Sequence, residues 1–184
     1  TFRFLLLVPV LLSNQARPVA GELNPLCFIS GFFMKTIKGD LIKLALDDVF
    51  DVIIHGCNCQ CAMGAGIAKL IKKQFPEAYK ADLQTVKGDE SKLGSISFAT
   101  VIRDNKDITI VNGYTQYHWR GSGVLVDYDA IRSVMREVKS DFSGKRIGYP
   151  KIGAGLAKGD WNIISRIIDQ ELDGEDHTLV EYSA

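Results

Sequence analysis

The sequence carries no net charge, since 22 Lys and Arg balance 22 Asp and Glu. Attraction to nucleic acid or to a membrane surface through a bulk field needs an excess of one sign, so neither is indicated. A disulfide framework is missing as well. Of four cysteines, Cys57, Cys59 and Cys61 fall within five residues of each other, too close to staple a fold, and reduced thiols in the cytoplasm fit better. The apolar stretch Phe4 to Leu12 is too short to span a bilayer. No internal repeat, low-complexity tract or second domain is seen. What remains, 46% hydrophobic residues in a chain of 184, supports one domain with a sizeable core.

Residues 1–33 do not match the rest. The apolar stretch after Arg3 and the small residues around Ala16 to Gly21 are loosely signal-like. Met34, however, stands directly before Lys35-Thr36-Ile37, where a compact domain can begin, and position 1 is Thr. The reading is an upstream or expression-derived extension at 1–33, followed by one domain at 34–184.

From Met34 onward strands and helices alternate. Lys35 to Lys38 reads as a strand and Leu41 to Leu46 as a helix capped by Asp40. Val52 to His55 is a buried strand, Ile67 to Gln74 a helix closed by Phe75-Pro76, and Glu77 to Val86 a further helical piece. Ile96 to Ile102 and Ile108 to Asn112 read as a hairpin around Arg103 to Asp107. Tyr128 to Phe142 places Ile131, Val134, Met135 and Val138 on one helical face. Arg146 to Tyr149 is a strand, Trp161 to Leu172 a helix with Ile163, Ile164, Ile167 and Ile168 inward, and Thr178 to Tyr182 a last strand. This order predicts an α/β fold with a mixed sheet between two helical layers.

Two glycine-bearing turns organise the chain. In the first, the strand ending at His55 empties into Gly56-Cys57-Asn58 and then Met63-Gly64-Ala65-Gly66-Ile67, where a helix opens. Unpaired N–H groups and the positive end of a helix suit an anion, and glycine lets a phosphate approach the backbone. The second, Tyr149-Pro150-Lys151-Ile152-Gly153-Ala154-Gly155-Leu156, repeats the device. Two such turns on one crevice suggest a diphosphate.

In order along the chain, Lys38-Gly39-Asp40-Leu41, Ile53-Ile54-His55-Gly56-Cys57-Asn58, Met63-Gly64-Ala65-Gly66-Ile67-Ala68 and Pro150-Lys151-Ile152-Gly153-Ala154-Gly155-Leu156 resemble the signature of a macrodomain. The likeness runs from about Met34 to Tyr182 and is nearest the yeast-type ADP-ribose 1''-phosphate phosphatases and terminal ADP-ribosyl-glutamate hydrolases. It implies a three-layer α/β/α fold with a mostly parallel sheet and a crevice for ADP-ribose at the strand ends. The implied activity is hydrolysis of ADP-ribose 1''-phosphate to ADP-ribose and phosphate, without cofactor or metal. De-ADP-ribosylation of a modified protein or nucleic acid, or simple reading of ADP-ribose, are the alternatives.

The resemblance distributes roles. Asp40, with Leu41 beside it, matches the aspartate that accepts from the adenine amino group, although its position alone equally suits a helix cap. Asn58 matches the residue fixing the terminal ribose, the alternative being a turn-forming asparagine. Gly64, Ala65, Gly66 and Ile67 would offer N–H groups to the diphosphate or ribose, and Gly153, Ala154, Gly155 and Leu156 would close over the phosphates. Tyr182 could face adenine or simply pack. His55 is the candidate proton carrier near the terminal ribose, against a satisfied strand-end histidine. Asp160 could polarise water or start a helix. His118 lies in a loop that could cover substrate or stay solvated, and His177 reads as surface.

Departures from the family pattern narrow the chemistry. The glutamate hydrolases use a lysine on the strand after the hairpin and an aspartate after the second glycine turn. Here Ile110 to Gln116 holds no lysine and Ala157 takes the aspartate position, which argues against a covalent lysine adduct. A nicotinamide site would need a third glycine after Gly64-Ala65-Gly66. Cys57, Cys59 and Cys61, spaced by two on a bend, make a poor zinc chelate without a distant partner pair.

Overall fold

The computed structural model describes residues 34–183, so the extension expected at 1–33 lies outside the described residues. Six strands form one sheet in the order β1-β6-β5-β2-β4-β3. They are β1 (Lys35–Gly39), β2 (Val52–Asn58), β3 (Ile96–Arg103), β4 (Lys106–Gln116), β5 (Ile147–Tyr149) and β6 (His177–Tyr182). All neighbours pair parallel except β3 with β4. The sheet is therefore mixed, as the alternation of elements predicts, and mostly parallel, as the family resemblance implies.

Side chains alternate across the sheet and each face carries its own helices. Val52, Ile54, Val111 and Leu179 pack with Ile131, Val134, Met135, Ile164 and Ile168, from α4 (Tyr128–Phe142) and α5 (Trp161–Glu171). On the opposite face Ile53, Ile108, Ile110 and Val180 pack with Leu41, Ile71 and Ala78, from α1 (Leu41–Leu46), α2 (Gly66–Gln74) and α3 (Pro76–Leu83). The result is helices, sheet, helices.

Several boundaries differ from expectation. The strand ending at His55 runs on to Asn58, and the one ending at Asn112 runs to Gln116, because the two pair side by side past the apolar run. The hairpin turn is only Asp104-Asn105, both at positive φ (50° and 61°), so Arg103 and Lys106 still pair. The helical piece expected over Glu77 to Val86 starts at Pro76, which suits a first turn, and stops at Leu83. Ile163 is not inward but 45% exposed. His177 is not surface: it opens β6 between β1 and β5, is 1% exposed, and its Nδ1 lies 2.6 Å from the Tyr149 hydroxyl. None of the helices among the described residues is long and apolar enough to cross a membrane.

Candidate functional site

Five parallel strands bring their C-terminal ends to one edge of the sheet, which is where open α/β sheets bind ligands. A cleft of about 680 Å³ opens there between the turn after β2 and the turn after β5. Asn58, Gly64, Ala65, Gly66 and Ile67 line one side, Gly153, Gly155 and Leu156 the other. The turns approach closely: a β-carbon at Gly66 would lie 3.5 Å from Leu156 Cδ1. Gly153 has φ +73°, and a β-carbon there would meet Val126 Cγ2 at 2.7 Å, so both conformation and space require glycine.

The helix starts differ in a telling way. Asp40, Asp127 and Asp160 cap α1, α4 and α5 with their carboxylates. Helix α2 follows Ala65, which has the extended backbone of a cap but no side chain able to accept. Helix α3 also lacks a side-chain cap, but it opens on Pro76, which has no N–H to satisfy. By helix geometry the first-turn N–H groups of Gly66, Ile67 and Ala68 have no intrahelical acceptor, and these three residues line the cleft. The α2 dipole adds its positive end. The cleft is thus built for an anion by backbone rather than by side-chain charge.

Asn58 serves the turn as well as the cleft. Its Nδ2 donates to the Ala62 carbonyl at 2.8 Å, and its Oδ1 accepts from Gln60 N at 3.0 Å and Ala62 N at 3.3 Å. Next to it the pairing of β2 with β4 slips, so that Cys57 faces Tyr114 while Asn58 faces Gln116. The Thr115 skipped between them points its Oγ1 at Gly56, where a β-carbon would be only 3.0 Å away.

The structure does not bring His55 to the cleft. Its ring is fully buried on the face of β2 that carries α3, with Nε2 2.8 Å from Asn112 Oδ1 and Nδ1 3.6 Å from Cys57 Sγ. Asn112 Nδ2 donates to Ala78 O and Ser97 Oγ, which assigns its Oδ1 as acceptor and Nε2 of His55 as the N–H donor. Desolvation, the main cause, lowers the His55 pKa to about 4, so the ring is a neutral, satisfied strand-end histidine. The sequence reading expected this ring near the terminal ribose, whereas the structure places it in this buried cluster and outside the cleft lining. Asp160 likewise caps α5, its Oδ1 accepting from Asn162 N at 2.8 Å, and is not part of the cleft lining. The Leu41 side chain lies in the core on the face of α1, α2 and α3, and Ala154 packs against the core on the opposite face.

Asp40 and Tyr182 border a second depression of about 390 Å³ with Lys43 and Asp47. There Asp40 Oδ1 accepts from Ile42 N and Lys43 N, and Tyr182 is 74% exposed. Sequence reasoning gave no role to Thr115, Gln116, Trp119 or Lys151, all of which line the main cleft. Lys151 stood inside a recognised motif, and its charge was the available signal. Trp119 belongs to the loop singled out for His118; that imidazole stacks on its ring, and the Arg120 guanidinium sits 4.1 Å from the ring centroid. Cys57 and Lys151 are the ionisable residues of the lining, and burial pushes the Cys57 thiol well up, which keeps it a poor nucleophile.

With this geometry in place, comparison with known proteins gives consistent matches. The Macro domain family model matches residues 54–168. A 17.5 kDa protein from the tk-vs intergenic region of Enterobacteria phage T4 is 39% identical over 142 residues, covering 74% of this chain and 88% of the relative. ADP-ribose glycohydrolase OARD1 of Bos taurus is 27% identical over 80% of this chain and 89% of its own length. An ADP-ribose 1''-phosphate phosphatase of Meyerozyma guilliermondii is 35% identical, but over 66 residues, or 36% of this chain and 37% of the relative. Among solved structures, the macrodomain of Mycobacterium tuberculosis DarG superposes with a TM-score of 0.68 at 20% identity, over 82% of this chain and 99% of that one. At that identity the superposition bears on the fold alone.

Proposed function

This chain belongs to the macro domain family, and from that premise we propose that its cleft takes ADP-ribose and that the protein hydrolyses a bond at the distal ribose of an ADP-ribose conjugate. The observation that carries the reading is the uncapped start of α2 facing the second glycine turn. A diphosphate between the turns receives the free N–H groups of the first turn of α2. The sheet order then arranges the rest. The distal ribose lies toward Asn58 and the end of β4, and adenine toward β6 and β1, where Asp40 and Tyr182 stand. Four interstrand gaps from β1 to β4 span about 19 Å, room for an extended dinucleotide-like ligand.

The lining supports a reaction in which the protein positions and the substrate assists. With a raised Cys57 thiol and a Lys151 tied to Glu181, no lining side chain is a ready base near neutral pH. A water held by the turn at Asn58 would therefore pass its proton to a phosphate oxygen of the substrate. ADP-ribose 1''-phosphate is one candidate, favoured by the short phosphatase match; an ADP-ribosylated macromolecule is the other, favoured by the OARD1 match across most of both chains.

The test is to measure ADP-ribose binding by calorimetry, then incubate the protein separately with ADP-ribose 1''-phosphate, an ADP-ribosylated protein and an ADP-ribosylated oligonucleotide. Release of phosphate, or of ADP-ribose, identifies the reaction. Binding with no release from any substrate leaves a reader. Failure to bind ADP-ribose overturns the proposal.

A further inference from the structure

Lys151 follows β5 inside the second glycine turn and lines the cleft, yet its Nζ is 2.7 Å from Glu181 Oε1. Glu181 sits near the end of β6, the strand beside β5, and pairs in register with Lys38 of β1. Both side chains are partly solvated, Lys151 by 47% and Glu181 by 36%, so the contact can open without exposing a core. Lys151 is the charged member of the lining, and it belongs to the second of the two turns that would hold a diphosphate.

We propose that Lys151 and Glu181 form an exchangeable ion pair that selects ligands carrying a diphosphate at this point of the cleft. In the free protein Glu181 neutralises Lys151. A diphosphate presents several anionic oxygens to one ammonium and draws Lys151 over, while Glu181 keeps Lys38 as its remaining cationic neighbour. A neutral nucleoside cannot make that exchange, so the pair discriminates against it. A monophosphate competes with Glu181 on less favourable terms, having fewer oxygens to place against both Lys151 and the α2 N-terminus. The device rests on the same cleft as the ADP-ribose reading, but it makes its own prediction about which side chain reads the phosphates and which opposes them.

Removing each partner therefore has opposite effects. Lys151→Met loses a charge-assisted contact, and diphosphate binding weakens about tenfold. Glu181→Gln removes the competitor, and binding tightens by a few-fold, roughly three. The experiment titrates the parent and both variants with inorganic pyrophosphate and with adenosine, following backbone amide shifts of Gly66, Ile67 and Gly153 by NMR, and with ADP-ribose by calorimetry. Weaker pyrophosphate binding in Lys151→Met with tighter binding in Glu181→Gln supports the exchange. Lys151→Met within twofold of the parent overturns it, and so does weaker binding in Glu181→Gln, which would make Glu181 a support for Lys151. Pyrophosphate decides the exchange, whereas ADP-ribose decides the functional reading. A parent that shows the pyrophosphate pattern but ignores ADP-ribose overturns the function and leaves the ion pair standing.

Discussion

Alternate residues of β2 serve two regions that treat polar groups in opposite ways. Gly56 and Asn58 look toward the cleft, where the α2 N–H groups lack an internal acceptor. His55 looks toward α3, and Cys57 stands between the cleft and the same cluster of Asn112, Tyr114, Asp82 and Lys92, whose donors have found partners and in which Asp82 Oδ2 is the buried acceptor left without one. There the Tyr114 hydroxyl donates to Asp82 Oδ1 at 2.9 Å, and Lys92 Nζ lies 3.5 Å from the same oxygen and 3.3 Å from Cys61 Sγ. Of the residue types that usually signal chemistry, His55, Asp82, Lys92 and Tyr114 stand in this cluster, while Cys57 and Lys151 are the ones that also line the cleft. The two turns that border the cleft are made instead mainly of glycine, alanine and free backbone N–H groups. Satisfied polar groups fix a fold, and unsatisfied ones are available to a ligand.

The sharpest way to break this contrast is to damage the buried cluster. Lys92 and Asp82 are 6% and 1% exposed, so either charge left alone has no solvent to turn to. Lys92→Met is expected to cost about 3 to 5 kcal/mol in urea unfolding. Adding Asp82→Asn to that variant removes the stranded charge and should recover much of the loss. A single-variant cost below about 1 kcal/mol, the range of exposed pairs, would show that the cluster is not a structural device.

A second test uses His55, which belongs to the cluster by position and was the sequence's candidate for the cleft. Its folded pKa of about 4 lies below the 6.5 of an unfolded histidine. Between those values the unfolded chain binds a proton that the folded chain does not. Stability is therefore full above pH 6.5 and declines as pH falls toward 4, by about 1.4 kcal/mol per pH unit from this group. His55→Gln should flatten that part of the pH profile while ADP-ribose affinity at pH 7.5 stays within twofold of the parent. A large loss of affinity or turnover in a folded His55→Gln protein would return the imidazole to the reaction.

Reading the sequence pointed to the two turns that border the cleft and to His55, which the structure buries beside Asn112, and the reason for the difference is physical. The glycine turns and the α2 start could be seen because turn geometry and missing caps are local properties of a few consecutive residues. The extension of β2 and β4 could not, since Cys57-Asn58 and Tyr114-Thr115-Gln116 become strand only by pairing with each other. That pairing sets His55 back from the edge, buried and bonded to Asn112. The burial of His177 escaped notice for the same reason, as Gly174 and the acidic residues before it suggest surface while its neighbours β1 and β5 are distant in sequence. Asp40 and Asp160, for which the local pattern left a cap and a site role both open, have their carboxylates engaged as helix caps in the structure.

The uncapped α2 start allows a smaller change with two readouts of opposite sign. Ala65 has φ −143° and ψ 166°, a backbone suited to a capping carboxylate. Ala65→Asp should stabilise the fold by about 0.5 to 1 kcal/mol and weaken ADP-ribose binding about tenfold, because the new carboxylate takes the N–H groups and repels the diphosphate. Stabilisation without loss of binding would mean that the anion site is elsewhere.

The smallest effect is expected at Asp160, and its smallness is the point. Its carboxylate accepts from Asn162 N, its own N–H donates to the Tyr128 hydroxyl at 3.0 Å, and the residue does not reach the cleft lining. Asn caps helices about as well as Asp, so Asp160→Asn keeps the capping acceptor and removes only the charge near the α5 N-terminus. Unfolding free energy should change by less than about 0.5 kcal/mol, and turnover of whichever ADP-ribose conjugate proves to be the substrate should stay within twofold. A hundredfold loss of turnover with the fold intact would instead mark Asp160 as a carboxylate that the reaction uses, and the division between a satisfied scaffold and an unsatisfied cleft would fail at that residue.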